Sequence, residues 1–193
     1  MLAFMGRPEE GLPDAEEGLR LAHALGQLED ESYALMARSL TLSGLGRHRE
    51  AVTDAKQALE IAERLGHREW TCHALWVLGS LRKEVGDLEG AELHLRRALN
   101  LAQNMPLHAS TAAARLAVVL VARGDLEAAE PFVDRALAEA FPGNRPEAEL
   151  ARAELAAARG AADAAAIARE ALALAEQVGY VVIVPRLRQL AQR

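Results

Sequence analysis

The sequence has one cysteine, Cys72, among its 193 residues. It cannot close an internal disulfide, and a reducing, cytoplasmic setting is the simplest expectation. Aromatics make up only 4% of the chain, and Val and Ile are scattered outside one cluster, Val181–Val184, so a sheet core is not expected. No apolar run approaches the length that crosses a bilayer. Met1–Met5 is too short, and too soon followed by charge, to read as a secretory leader. There is no basic stripe. The formal net charge is -6 with both signs interspersed, which argues against a nucleic-acid surface and against a polybasic membrane patch.

Chemical motifs are equally scarce. None of His23, His48, His67, His73, His94 and His108 pairs with another at i,i+4, and no HExxH or CxxC arrangement occurs, so no metal is expected. No glycine-rich phosphate loop suggests a cofactor. Cys72 and His73 are neighbours on a predicted helix and point in different directions, so they do not form a nucleophile–base pair. Acidic clusters such as Glu29-Asp30-Glu31 read as helix starts and solvated faces. An enzyme is not expected.

What the chain does have is alanine and leucine, which favour helix and close helix packing, arranged in a repeat. Gly46, Gly86, Gly124 and Gly160 each precede an alanine-rich helix start and are 40, 38 and 36 residues apart. That is the range of helix-pair repeats. Upstream of Gly86, Ala74, Val77, Leu78 and Leu81 follow a 3–4 spacing; downstream, Ala91, Leu95, Ala98 and Leu99 do the same. Each is one face of a helix. The glycine can take φ > 0 and end the first helix, and Asp87 and Asp125 are placed to cap the second. The spacing predicts ten helices and no strand. A leading unpaired helix covers 14–25. Four pairs follow at 29–65, 67–102, 108–140 and 146–178, then a closing helix at 182–191. Pro131 predicts a kink or a late start in its helix. Pro185 fits the first turn of the closing helix. The leading helix reads as the second half of a hairpin whose first helix is absent, which suggests a truncated or intermolecularly completed array.

The signature resembles the tetratricopeptide repeat. Leu75, Leu78-Gly79, Gly86, Ala91, Leu95 and Ala98 carry the likeness in the second repeat, and Leu116, Leu120, Gly124, Ala129, Val133 and Ala136 in the third. The longer period is similar to the helical-repeat regions of large bacterial signal-dependent transcriptional regulators. The resemblance implies an all-α, right-handed superhelix of stacked antiparallel pairs, in which first helices line a concave, non-catalytic binding face. By position that face would carry Tyr33, Met36 and Leu40, then His73, Trp76, Ser80 and Lys83, then Thr111 and Val118, then Glu147 and Leu150. The implied partner is a protein or peptide, including an apolar helix, and a homodimer is a further expectation. The shallow face disfavours a small molecule; the alternative is a sensor enclosing a ligand near Tyr33, His73 and Trp76.

Overall fold

Alanine recurs on the buried helix faces and lets helices approach closely, and the computed structural model describes residues 8–192. Among these described residues there are ten α-helices and no strand. The chain divides into two compact units, one ending at Leu101 and the other starting at Ala102.

The first unit holds α1 (Pro8–Leu25), α2 (Leu28–Gly44), α3 (His48–Arg64), α4 (Arg68–Glu84) and α5 (Leu88–Leu101). Each packs on the next, and α2 also touches α4. Pairing is antiparallel: Ser32 and Arg38 of α2 bond to Ala58 and Asp54 of α3 respectively. The core is Leu35, Leu75, Leu78, Leu81 and Leu95, all at most 1% exposed, among alanines at 51, 55, 58, 91 and 98. Gly79 marks a close approach of α4 to α5. A Cβ there would lie 2.6 Å from the Leu95 Cγ.

The second unit holds α6 (Pro106–Arg123), α7 (Leu126–Glu139), α8 (Arg145–Ala158), α9 (Ala164–Val178), a 3₁₀ turn (Val181–Ile183) and α10 (Val184–Ala191). The first helices α6, α8 and α10 form a row, and each of α7 and α9 packs on the helices flanking it in sequence, although α7 and α9 themselves show no comparable contact. The valine cluster is neither a strand nor a free end. Ile183, Val184, Leu187 and Leu190 are buried against Ala168, Ala171 and Ala175 of α9, and Pro185 sits in the first turn of α10.

The four predicted turn glycines all have positive φ, and so do Gly26, Gly66 and Gly179 at the ends of α1, α3 and α9. At Gly124 (φ 86) the amide closes α6 onto the carbonyls of Leu120 and Val121, a left-handed stop that a side chain would strain. The longer first period has a local cause: α3 has 17 residues, whereas α5 and α7 have 14.

Three local expectations are revised. The leading helix begins at Pro8 rather than near 14, with Pro13 inside it. Pro131 likewise lies inside α7, which starts at Leu126 and is not delayed; proline at this position removes one amide bond on an exposed side, and the helix continues. Asp87 caps α5 as expected, accepting from the Gly90 amide at 2.9 Å, but Asp125 makes no side-chain cap bond. It lies instead 3.1 Å from Arg123.

Candidate functional site

First helices place a periodic set of side chains on one face, and the two units use that face differently. In the first unit the face comes from α2 and α4. Tyr33 is 61% exposed. Leu40, His73, Ser80 and Lys83 are half-buried. His73 stacks on Trp76 with ring centroids 4.5 Å apart, and the Ser80 hydroxyl donates to the Trp76 carbonyl at 2.9 Å. Lys83 pairs with Glu84 at 2.9 Å. A second stack, His67 on Trp70 at 4.4 Å, opens α4, where His67 Nδ1 accepts the Trp70 amide as the helix cap. Sequence reasoning missed the histidine cap, since histidine is not among the usual capping residues.

Not every predicted face residue is accessible. Met36 is 1% exposed and Trp76 8%. Met36 belongs to the core and offers no surface. An unbranched thioether suits such a core position, since it adapts to irregular space. Cys72 is fully buried, and its thiol points at the Ala98 carbonyl at 3.4 Å. Burial pushes that thiol up to about 12, so it is not a nucleophile near neutral pH.

In the second unit the row of α6, α8 and α10 is closed on itself by polar groups. Arg115 of α6 donates to both oxygens of Glu147 on α8, at 3.0 and 2.7 Å. Tyr180, just ahead of the 3₁₀ turn, donates its hydroxyl to the same carboxylate. Burial opposes the charge of Arg115, yet Glu147 and then Tyr180 raise its pKa above the ordinary arginine value. Burial, and then the Glu147 charge, push the Tyr180 phenol well above its usual range. Arg115 and Tyr180 therefore both keep their protons at neutral pH. Two more ties flank this cluster. Asn144 donates to Thr111 Oγ1 at 3.2 Å and to the Leu107 carbonyl at 3.3 Å. Arg186 of α10 clasps both oxygens of Glu154, one of them at 2.6 Å.

The predicted face residues of this unit are therefore mostly engaged. Thr111 and Glu147 are 6% and 5% exposed and serve as internal partners. Val118 is half-buried, and Leu150 packs against the C-terminal core. Arg115 and Tyr180 were missed, because their partner lies 32 and 33 residues away. The available signal was the charge of Glu147, Glu149 and Glu154 on an otherwise alanine-rich helix, which asks for buried counter-charges.

This geometry, paired helices with glycine-stopped turns and a row of first helices within each unit, permits comparison with known proteins. Residues 30–104 match the tetratricopeptide-repeat family model. That match covers α2 through α5, the part with the clearest repeat. The chain is a helical scaffold of tetratricopeptide-like pairs. No curated protein sequence matches it significantly. Among solved structures it is similar to a Rap protein complexed with competence and sporulation factor, at TM-score 0.70 and 15% identity over 98% of this chain and 59% of that one. It is similar to BtubC of P. vanneervenii at TM-score 0.60 and 17% identity, over 86% of this chain and 66% of that one. It is also similar to the MamA protein at TM-score 0.53 and 17% identity, over 88% and 94%. At these identities the likeness is one of fold. The chain spans about six-tenths of the Rap length. Among the described residues no group of three or more His, Cys, Asp or Glu side chains is placed to hold a metal, and no helix is long and apolar enough to cross a membrane.

Proposed function

We propose that the chain is a non-catalytic binding scaffold that takes a protein or peptide segment on the α2–α4 face of its first unit. The observation that carries this reading is the contrast between the two first-helix faces. The second unit's face spends its polar groups on internal ties, whereas the first presents Tyr33 at 61% exposure, with Leu40 and His73 half-buried and His73 stacked on the nearly buried Trp76. An exposed tyrosine over a rigid apolar floor is the usual composition of a peptide anchor, with large contact area and little side-chain entropy to lose. Lys83 and Ser80 border that floor and would set the polarity of the segment's flank.

The Rap likeness supports a factor-binding role, since that protein was solved complexed with competence and sporulation factor, and a lone cysteine fits a reducing, cytoplasmic setting. An open row of two helices suits a partner helix or extended peptide better than an enclosed small molecule. The test is recovery of a partner from cell extract by wild type, Tyr33→Ala and Trp76→Ala, with Val118→Ala as control. Loss of the same protein from the first two variants and its retention by the control supports the reading. Equal recovery by all four removes this face from the proposal.

A further inference from the structure

The second unit has two edges of opposite character. One holds the turns after α6 and α8, where Arg123, Asp125, Arg159 and Asp163 are exposed and the apolar Val121 and Leu126 are half-buried. The other holds the connections that lead into α6, α8 and α10. Residues 103–108, 140–144 and 177–185 contain no Asp, Glu, Lys or Arg. Leu107, Phe141, Val178 and Val182 stand there at 43–49% exposure, beside the exposed Pro106 and Pro142. The Asn144 amide donates to the Leu107 carbonyl at 3.3 Å and the Tyr180 hydroxyl to Glu147. The three connections therefore lie side by side, with that of α8 in the middle.

This openness belongs to the position and not to the ends of the chain. Gly26, Gly66, Asn104 and Gly179 take positive φ at equivalent turns. Three residues on from each stand Glu29, Glu69, Leu107 and Val182. Glu29 and Glu69 are exposed too, although α2 and α4 each have helices packed on both sides. Stacking further pairs along the row leaves such positions in solvent. The first unit fills them with carboxylates, as a solvated surface requires, and the second with aliphatic side chains.

Charge narrows what covers this edge. The charges bordering it are already paired within the chain: Glu139 with Arg135 at 3.0 Å, Glu149 with Arg145 at 2.9 Å and Glu176 with Arg188 at 2.8 Å. The edge thus offers a charged partner nothing to pair with. A copy of the chain, with net charge -6, is repelled over most approaches, but here it meets no opposing carboxylate. The row is also palindromic. An aliphatic residue, an aromatic one and an aliphatic one follow in the order Leu107, Phe141, Val182, and that self-complementarity is what a two-fold contact demands.

We propose that this edge is where two copies of the chain meet about a two-fold axis, Phe141 on Phe141, with Leu107 of each copy on Val182 of the other. Four half-exposed side chains form a patch on the order of 300 Å², and two such patches with their prolines bury less than the about 1,200 Å² below which contacts are weak and transient. The dimer is therefore weak. The edge is separate from the α2–α4 face, and the proposal stands whatever that face binds.

Sedimentation equilibrium of the full chain from about 1 μM to about 1 mM should show monomer in exchange with dimer. Phe141→Asp and Val182→Lys should each weaken the dimer by about tenfold or more, and circular dichroism will show both variants folded. Leu93→Glu, at an exposed leucine of the first unit, should leave it unchanged. An equimolar mixture of Leu107→Glu and Val182→Lys should dimerise better than either variant alone, because one contact becomes an ion pair and the other stays native. A monomer over the whole range overturns the proposal. So do assemblies that grow beyond dimers, since a two-fold contact closes on itself. Self-association indifferent to Phe141→Asp and Val182→Lys would place the contact elsewhere, and a mixture no better than its components would remove the two-fold pairing; either result also overturns it.

Discussion

The two units build the same helix pairs yet treat the row of first helices in opposite ways. In the first unit the row is held from beneath by leucines and one glycine contact, and Tyr33 stands exposed on its outer surface. In the second unit the helices are rich in alanine, whose short side chains bury less apolar area per contact. There the row is tied laterally by Arg115–Glu147–Tyr180, Asn144–Thr111 and Arg186–Glu154. Buried ion pairs are costly to desolvate and contribute geometry more than net stability. The comparison teaches that an alanine-rich repeat can hold its register with specific polar links where bulk is lacking, and that the same links use up the surface a binding face would need.

The comparison can be broken most forcefully at Glu147. Glu147→Ala strands a largely buried guanidinium and a phenol, and should cost about 3–5 kcal/mol. Because Trp70 and Trp76 are the only tryptophans and both lie in the first unit, tryptophan fluorescence reports that unit alone while circular dichroism reports both. The expected outcome is an earlier dichroism transition with an unmoved fluorescence transition. Coincident shifts in both would mean that the units melt as one.

Next comes Gly79→Ala, which drives a Cβ into Leu95. Overpacking of this kind costs about 1–3 kcal/mol, partly offset by about 1 kcal/mol of helix propensity. The fluorescence transition should fall and the second unit's should not. Chemical denaturation followed with both probes checks this.

A smaller difference separates the two equivalent turns. Asp87→Ala removes a cap bond and should cost about 1 kcal/mol, whereas Asp125→Ala should change stability by under about 0.5 kcal/mol. Equal effects would show that cap geometry does not distinguish the units.

Smallest is Cys72, whose thiol occupies the position of Ser32 and Ser110 and makes their bond. Cys72→Ser should keep stability within about 1 kcal/mol of wild type, and Cys72→Ala should lose about the value of one hydrogen bond, ~1 kcal/mol. The raised thiol pKa means the folded state holds its proton more tightly than the unfolded state. Its contribution is complete below about pH 9 and is lost as the pH climbs toward about 12. Alkylation of native protein at pH 8 should therefore be slow and limited by opening of the first unit.

Much of this was legible in the chain. The glycine spacing located the hairpin turns, because φ > 0 is a local demand. The paired 3–4 periodicities located the helices between them. Val181–Val184 would read as strand by propensity, but with no partner strand the tertiary setting made it a turn and a helix. Helix starts at Pro8 and Leu126 were less legible, since proline at an exposed helix position costs one bond rather than the helix. The binding face was legible as a set of positions and not as a set of surfaces. Met36 and Trp76 occupy equivalent places as Tyr33 and His73 do, and only packing shows that the first pair turns inward. Glu147 and Thr111 were read as contacts for a partner; their true neighbours, Arg115, Tyr180 and Asn144, are brought in by stacking of successive repeats, which no local pattern encodes.

The hydroxyl- or thiol-to-carbonyl bond of the first three pairs reaches only 26 residues ahead. A ribosome adding ~5–20 residues per second delivers both ends of that bond within a few seconds of each other. Each hairpin can thus close while the next is still being made, and the growing chain never has to wait for its far end to hide its alanine and leucine faces.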